Sequence, residues 1–208
     1  SVPEEVTVTK VGGGVAIDNS GWVLYEEESA FGMFITDGGS RTSPVLCGDA
    51  FIPAPLHDFN LERVYGAYCT LVGSDYQGIS EVTDNYIRKL MWYGWLGPAQ
   101  WSGFSNSAYN YYIGSNKNVL ELQGSPYANS TDVSAAAITQ NALSHYRDNK
   151  QLHDPINARG VRAFISFLET ASDDVPSYFH VYQLITRENR QDFFWYSYYP
   201  SGNLRLHK

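Results

Sequence analysis

Short segments of β-branched and aromatic residues recur along most of the 208-residue chain and limit the folds it can adopt. Some alternate in polarity with a period of two residues, as in Glu5–Val11, which reads EVTVTKV. Gly, Pro, Asn and Ser separate the segments. Strands at this spacing are typical of sandwiches and barrels rather than of βαβ units. We therefore predict a single all-β domain over residues 1–208, an antiparallel β-barrel or sandwich with one or two short helices.

The predicted strands are rich in Val, Ile, Phe and Tyr and end at turn-forming residues. They cover residues 5–11, 21–28, 30–36, 63–73, 108–114, 118–124, 159–170, 177–188 and 193–199, and a short run ending at Leu206 pairs with the last of them. Gly12–Gly14 is expected to end the first strand. The DGGS sequence at Asp37–Ser40 predicts a tight turn, because Gly permits positive φ.

Two segments carry helical signals. Ser130–Asn149 offers Ser130, Thr131 or Asp132 as an N-cap and contains three consecutive alanines, so it is predicted to be a helix. Ser80–Trp95 is ambiguous, because its apolar residues fit both a helical face and a strand face. We interpret it as a short helix or an irregular loop that enters a strand.

The charge of the chain excludes some partners. Only 17% of the residues are charged, and the net charge is −8. A nucleic-acid ligand requires a basic surface, and an anionic membrane favours one too. No apolar run approaches the roughly 18 residues of a membrane-spanning helix. We predict no nucleic-acid partner and no membrane insertion. The start at Ser1, without Met, suggests a chain cut from a longer protein.

Catalytic and metal-binding signatures are absent from the sequence. It contains no GxSxG elbow, P-loop, dinucleotide loop or HExxH motif. His57–Asp58 and His153–Asp154 are interpreted as loop dipeptides. We therefore predict no catalytic residue, no metal site and no cofactor. Cys47 and Cys69 are interpreted as two buried small hydrophobic residues, with a single disulfide as the alternative.

A glycosidase is one alternative function, since sugars stack on aromatic rings and hydrolysis uses two carboxylates. The candidate carboxylates are Glu26, Glu28, Asp58 and Glu62. Acidic residues in strands and turns more often form a solvated face. A secreted carbohydrate-binding or lectin-like module is a second alternative. The sequon at Asn129 adjoins the predicted helix and is equally consistent with N-capping.

The aromatic clusters are the strongest functional signal. Trp92, Tyr93, Trp95 and Trp101 alternate with Gly and Pro, which is typical of an exposed loop that stacks on sugars or anchors a partner. We predict these four as receptor-binding residues. The second cluster, FFWYSYY, starts at Phe193. Either both of its faces lie in the core, or one face lies in the core and the other meets a second copy of the chain. We predict the second arrangement, with Tyr196 and Tyr198 in a homodimer interface.

The last third of the chain, RGVRAFISFLET followed by VPSYFHVYQLITRENRQDFFWYSYYPSGNLRL, resembles the protruding capsid spike domains of small non-enveloped RNA viruses, astrovirus spikes in particular. The resemblance implies an all-β homodimer on the virion surface, outside the cell. It also implies attachment to a host receptor, a glycan or a protein, without catalysis. Its aromatic strands and closing turn carry the resemblance; no individual site residue is transferred.

Overall fold

A computed structural model describes residues 2–3, 5–15, 31–49, 59–60, 76–109, 119–120, 125–127, 129–152, 158–186 and 191–200. The strands are β1 (Thr7–Val15), β2 (Phe31–Asp37), β3 (Thr42–Cys47), β4 (Phe59–Asn60), β5 (Tyr76–Glu81), β6 (Val119–Leu120), β7 (Phe179–Thr186) and β8 (Phe193–Tyr198). The helices are α1 (Asn85–Tyr93), α2 (Ser130–Arg147) and α3 (Ala158–Thr170), with short 3₁₀ turns at Ser102–Ser105 and Ser107–Tyr109.

The strands form one antiparallel sheet in the order β4-β1-β2-β3-β8-β7-β5, and β6 also pairs with β1. Six strands have six or more residues, whereas β4 and β6 have two each. In the described part of the chain, β4 and β5 end the sheet without pairing with each other. The fold is therefore rich in antiparallel sheet as predicted, but the closed-barrel alternative is wrong.

Several predicted strands are confirmed. β2, β7 and β8 match the predictions for 30–36, 177–188 and 193–199, and Gly39 takes the expected positive φ of 88° in the turn before β3. The three glycines after Val11 do not end β1, which continues through them to Val15. Pairing on both sides explains this, because β2 and β6 both bond to the Gly-rich end.

Helices are more extensive than the sequence indicated. Ser130–Arg147 is a helix as predicted, but its N-cap is Asn129, whose Oδ1 accepts from Asp132 N at 2.9 Å. The segment 159–170, predicted as a strand, is α3. Its buried residues Val161, Phe164 and Leu168 recur at helical spacing, so the helical period fits where period two was assigned. α1 confirms the helical interpretation within Ser80–Trp95.

The remaining predicted strands, 21–28, 63–73 and the tail before Leu206, lie outside the described residues, as does most of 108–124.

The sheet separates two core clusters. On one face, Leu46, Phe194 and Tyr196 pack with α1, α2 and α3. On the other, Val45, Phe193 and Trp195 pack together. Consecutive residues of β3 and β8 thus enter opposite clusters, as expected from the alternation of side chains along a strand. β8 lies between β3 and β7, and its first five residues are buried on both faces.

Candidate functional site

Cys47 is the last residue of β3, a strand that the sequence analysis missed. Pro44 lies inside it and argues against a strand, because Pro cannot donate to a ladder. The strand forms nevertheless, since β2 and β8 pair with it from either side. The Cys47 side chain is a thiol, and the residue is only 8% exposed.

The backbone N–H and C=O of Cys47 face away from β8 and bond to the Gln140 side chain. Gly48 N donates to Asp192 O at 2.7 Å, so the preceding residue directs its own N–H and C=O to the opposite side. The pairing of β2 with β3 ends at Val45. Beyond it, Cys47 N donates to Gln140 Oε1 at 2.8 Å, and Gln140 Nε2 donates to Cys47 O. We call this pair of bonds the Cys47 clasp.

The clasp brings the Gln140 carboxamide to the backbone of a residue that carries a thiol. Hydrogen bonds to carbonyl oxygens lie near the carbonyl plane, so the two bonds hold the Gln140 carboxamide close to the plane of the sheet. The Cys47 side chain projects out of that plane. The sulfur therefore lies to one side of the carboxamide plane, on the sheet face where Cys47 packs with Val45 and Phe193. A nucleophile attacks a carbonyl carbon from outside the carbonyl plane, so the thiol is on a side from which attack on Gln140 Cδ is possible. The Cys47 N–H already points at the oxygen on which negative charge would develop.

A charged pair fixes the residue after the thiol. Arg147 Nη1 donates to Gly48 O and to Asp192 Oδ1, each at 2.9 Å, and lies 2.8 Å from Asp192 Oδ2. Gln183 Nε2 donates to Asp192 Oδ2 at 2.6 Å. A Cβ on Gly48 would lie 2.3 Å from both Arg147 Nη1 and Asp192 Oδ1. Only glycine at position 48 allows this pair to approach the backbone so closely.

A second glutamine repeats the clasp two residues further along. Asp49 N donates to Gln191 Oε1 at 2.9 Å, and Gln191 Nε2 donates to Asp49 O at 3.0 Å. We call this pair of bonds the Asp49 clasp. Side-chain and backbone partners thus satisfy the N–H and C=O groups of Cys47, Gly48 and Asp49, so this segment is held rigidly.

The four aromatic residues predicted to bind a receptor lie on α1 and the turns after it, where they belong to or pack against the core cluster between the sheet and the helices. Trp95 is not an exposed anchor: it is 1% exposed, and its Nε1 donates to Asp132 Oδ1 at 3.0 Å. This part of the prediction is wrong, because the Gly-containing turn after α1 folds onto α2. Trp92, Tyr93 and Trp101 are half-buried, and their receptor binding stays a prediction.

The two tyrosines predicted for a homodimer interface differ in burial. Tyr196 is 0% exposed, and its hydroxyl contacts the carbonyls of Thr42, at 2.9 Å, and Leu96. It therefore belongs to the core and has no surface for a second copy. Burial, partly offset by Arg41, raises the pKa of Tyr196 to about 12. Tyr198 is half-buried, so its interface role stays a prediction.

Other sequence candidates fall largely outside the described residues. They include Glu26, Glu28, Asp58, Glu62, Cys69, and the dipeptides His57–Asp58 and His153–Asp154. Within the ranges described, no three His, Cys, Asp or Glu residues group as metal ligands. None of the described helices is long and apolar enough to span a membrane. The Cys47–Gln140 pair escaped the sequence analysis because its members are 93 residues apart and each has an ordinary neighbourhood.

Comparison with known proteins gives only distant likenesses. No family model matches the chain, and no curated protein matches it. Among solved structures, the N-terminal thioester domain of a surface protein from Clostridium perfringens is 11% identical, with 88% of this chain and 96% of that chain covered and a TM-score of 0.44. A cysteine-to-alanine mutant of that domain is 10% identical, with 90% and 99% covered and a TM-score of 0.46. These values are too low to support a conclusion about function.

Proposed function

We propose that Cys47 and Gln140 form an internal thioester and that the protein uses this bond to attach covalently to an amine-bearing partner. The observation that carries the proposal is the Cys47 clasp, in which both polar atoms of the Gln140 carboxamide bond to the backbone of Cys47. The clasp holds the Gln140 carboxamide at the residue that carries the thiol. Holding two reacting groups together in this way strongly lowers the barrier of the reaction between them.

The first step is an exchange at the Gln140 carbonyl. Cys47 Sγ attacks Gln140 Cδ, and the negative charge on Oε1 is stabilised by the Cys47 N–H. The C–N bond then breaks, and Nε2 leaves as ammonia with the thiol proton. The products are a thioester and ammonia, with no change of oxidation state. Because Cys47 is almost buried, water has limited access to the thioester.

The second step transfers the acyl group to the partner. A primary amine attacks Cδ, the C–S bond breaks, and the thiol is restored while an amide links Gln140 to the partner. The net charge of −8 attracts cationic amines such as lysine side chains to the protein surface. Each molecule reacts once, so the protein is consumed rather than regenerated as an enzyme would be.

Covalent capture is one form of the attachment that the sequence analysis predicted. The receptor-attachment hypothesis is thus kept in its general form, with an extracellular location in which a partner's amines are accessible. Viral origin, a glycan ligand and a homodimer stay predictions from the sequence, as do the carbohydrate-binding and glycosidase alternatives.

Intact mass spectrometry tests the proposal. The purified protein is expected to weigh less than its sequence by one ammonia. Methylamine should convert this species to one that carries methylamine in place of the lost ammonia, with fragment ions that place the change at Gln140. Cys47→Ala and Gln140→Ala should both show the full sequence mass and take up no methylamine.

Gln191→Ala is the matched control, because it removes a carboxamide that makes the same two bonds without a thiol. It is expected to retain the ammonia deficit and the reaction with methylamine. A full sequence mass in freshly purified parent protein, with no uptake of methylamine, would contradict the proposal.

A further inference from the structure

Gln140 and Arg147 lie on the same face of α2, two helical turns apart. Gln140 holds Cys47, and Arg147 holds the next residue, Gly48. Helix side chains point towards the N-terminus, so the long Arg147 side chain reaches back along α2 towards the level of Gln140. One helix face therefore contacts two consecutive residues of the strand end that carries the thiol.

Arg147 is itself fixed from the sheet side. The Arg147 guanidinium contacts both carboxylate oxygens of Asp192, the residue just before β8. Gln183 of β7 donates a further hydrogen bond to the Asp192 carboxylate. The guanidinium lies over the Phe194 ring, 5.2 Å from its centroid. The Arg147 and Asp192 side chains are 31% and 11% exposed, so solvent screens the pair only in part. These contacts connect α2 to β7, β8 and Gly48 at one point.

We propose that the Arg147–Asp192 pair is a positioning device for acyl transfer: it sets the register of α2 on β3 so that the Gln140 Cδ lies beside the Cys47 thiol. The inference rests on the proposed thioester, and it gives a role in forming that bond to Arg147 and Asp192, which do not touch the reacting atoms. Gln140 reaches Cys47 through a flexible side chain, so a small shift of α2 along its axis moves the carboxamide away from the sulfur. Misplacement by about 1 Å costs roughly a hundredfold in rate.

The rate of thioester formation tests this role. Ammonia opens the thioester and restores Gln140, and after its removal the returning mass deficit gives the formation rate. Arg147→Ala and Asp192→Asn are expected to re-form the bond roughly ten- to a hundredfold more slowly than the parent. The double variant should be no slower than the slower single variant, because both side chains act as one unit. Arg147→Lys, which keeps the charge but loses the planar fork, should recover only part of the rate.

Asp173→Asn is the matched control. Asp173, which follows α3, accepts from Lys89 of α1 at 2.7 Å, and its side chain is 72% exposed. Neither residue contributes a bond to the Cys47 clasp. This variant should form the thioester at the parent rate. The inference is overturned if the Arg147 and Asp192 variants, folded by circular dichroism, re-form the bond at the parent rate, or if Asp173→Asn slows it equally. A parent with no ammonia deficit would instead refute the proposed thioester.

Discussion

Two glutamine clasps lie two residues apart and differ in what they hold. In each, a carboxamide accepts from a backbone N–H and donates to the C=O of the same residue. Gln140 comes from helix α2, whereas Gln191 lies in the segment that enters β8. The clasped residue is a cysteine in one case and an aspartate in the other.

The two clasps share a stabilising role and differ in reactivity. Either clasp satisfies buried backbone groups and is worth about 1 kcal/mol per hydrogen bond. Only the Cys47 clasp adds a thiol, whose attack on the carboxamide would give a thioester, so only there does the fixed geometry favour a reaction. The Asp49 clasp is inert because a carboxylate that attacked Gln191 would give an unstable anhydride.

Moving the thiol from one clasp to the other gives the largest expected effect. In Cys47→Ala, the further change Asp49→Cys should bring back the ammonia deficit, now at Gln191, because a thiol again lies beside a clasped carboxamide. Fragment-ion mapping of the modified glutamine is the measurement. Cys47→Ala with Asp49→Ser is the control and should keep the full mass. If no deficit returns, a thiol beside a clasped carboxamide is not sufficient for thioester formation, and the placement of Gln140 on α2 is also required.

Alkaline pH should weaken the opposite end of β3. The Tyr196 hydroxyl donates to the Thr42 carbonyl at that end, and burial raises the Tyr196 pKa from the ordinary 10.0 to about 12. Between these values the unfolded state has already lost the proton that the folded state keeps, so stability is complete below pH 10 and falls as the pH rises to about 12. Urea unfolding across this range is the measurement.

Tyr196→Phe provides the comparison for the alkaline loss. Tyr182 and Tyr86 also have pKa values raised to about 12, mainly by burial, so the variant should reduce the loss of stability without removing it. An unchanged pH dependence in Tyr196→Phe would show that this tyrosine does not contribute.

Gly48→Ala should disturb both clasps together. Its Cβ would lie 2.3 Å from Arg147 Nη1 and Asp192 Oδ1, and overpacking of this kind costs about 1–3 kcal/mol. We expect a lower midpoint in urea and slower thioester formation. A variant as stable and as reactive as the parent would show that the ion pair shifts without consequence.

The smallest expected effect is a difference in hydrogen exchange at Cys47 between the products that ammonia and methylamine form with the thioester. The Cys47 clasp uses the Nε2 hydrogen on the same side as Oε1, whereas a trans secondary amide carries its substituent there, and the cis form costs about 2.5 kcal/mol. The methylamine product should therefore open the clasp, while the ammonia product closes it again. Hydrogen exchange at Cys47 N–H should be roughly five- to tenfold faster in the methylamine product, for a hydrogen bond of about 1 kcal/mol. Equal exchange in both products would contradict this account.

The sequence predicted local elements where one pattern was unambiguous. The alanine-rich α2 and the aromatic β8 were recognised, because helix capping and β-propensity act over a few residues. α3 was misassigned because Phe164, Ile165 and Phe167 suit a strand as well as a helix. β3 was missed because Pro44 weakens its strand signal, and only its neighbours in the sheet stabilise it.

The sequence by itself determined the composition and the local elements of the protein. It predicted a low-charge, tyrosine-rich chain that forms an antiparallel sheet and a capped helix. The tertiary structure alone decided that Trp95 and Tyr196 lie in the core and that Cys47 meets Gln140. The physical reason is range: capping and alternation depend on near neighbours, whereas the Cys47 clasp joins residues 93 positions apart. Such a contact exists only after the sheet has formed and α2 has packed on it.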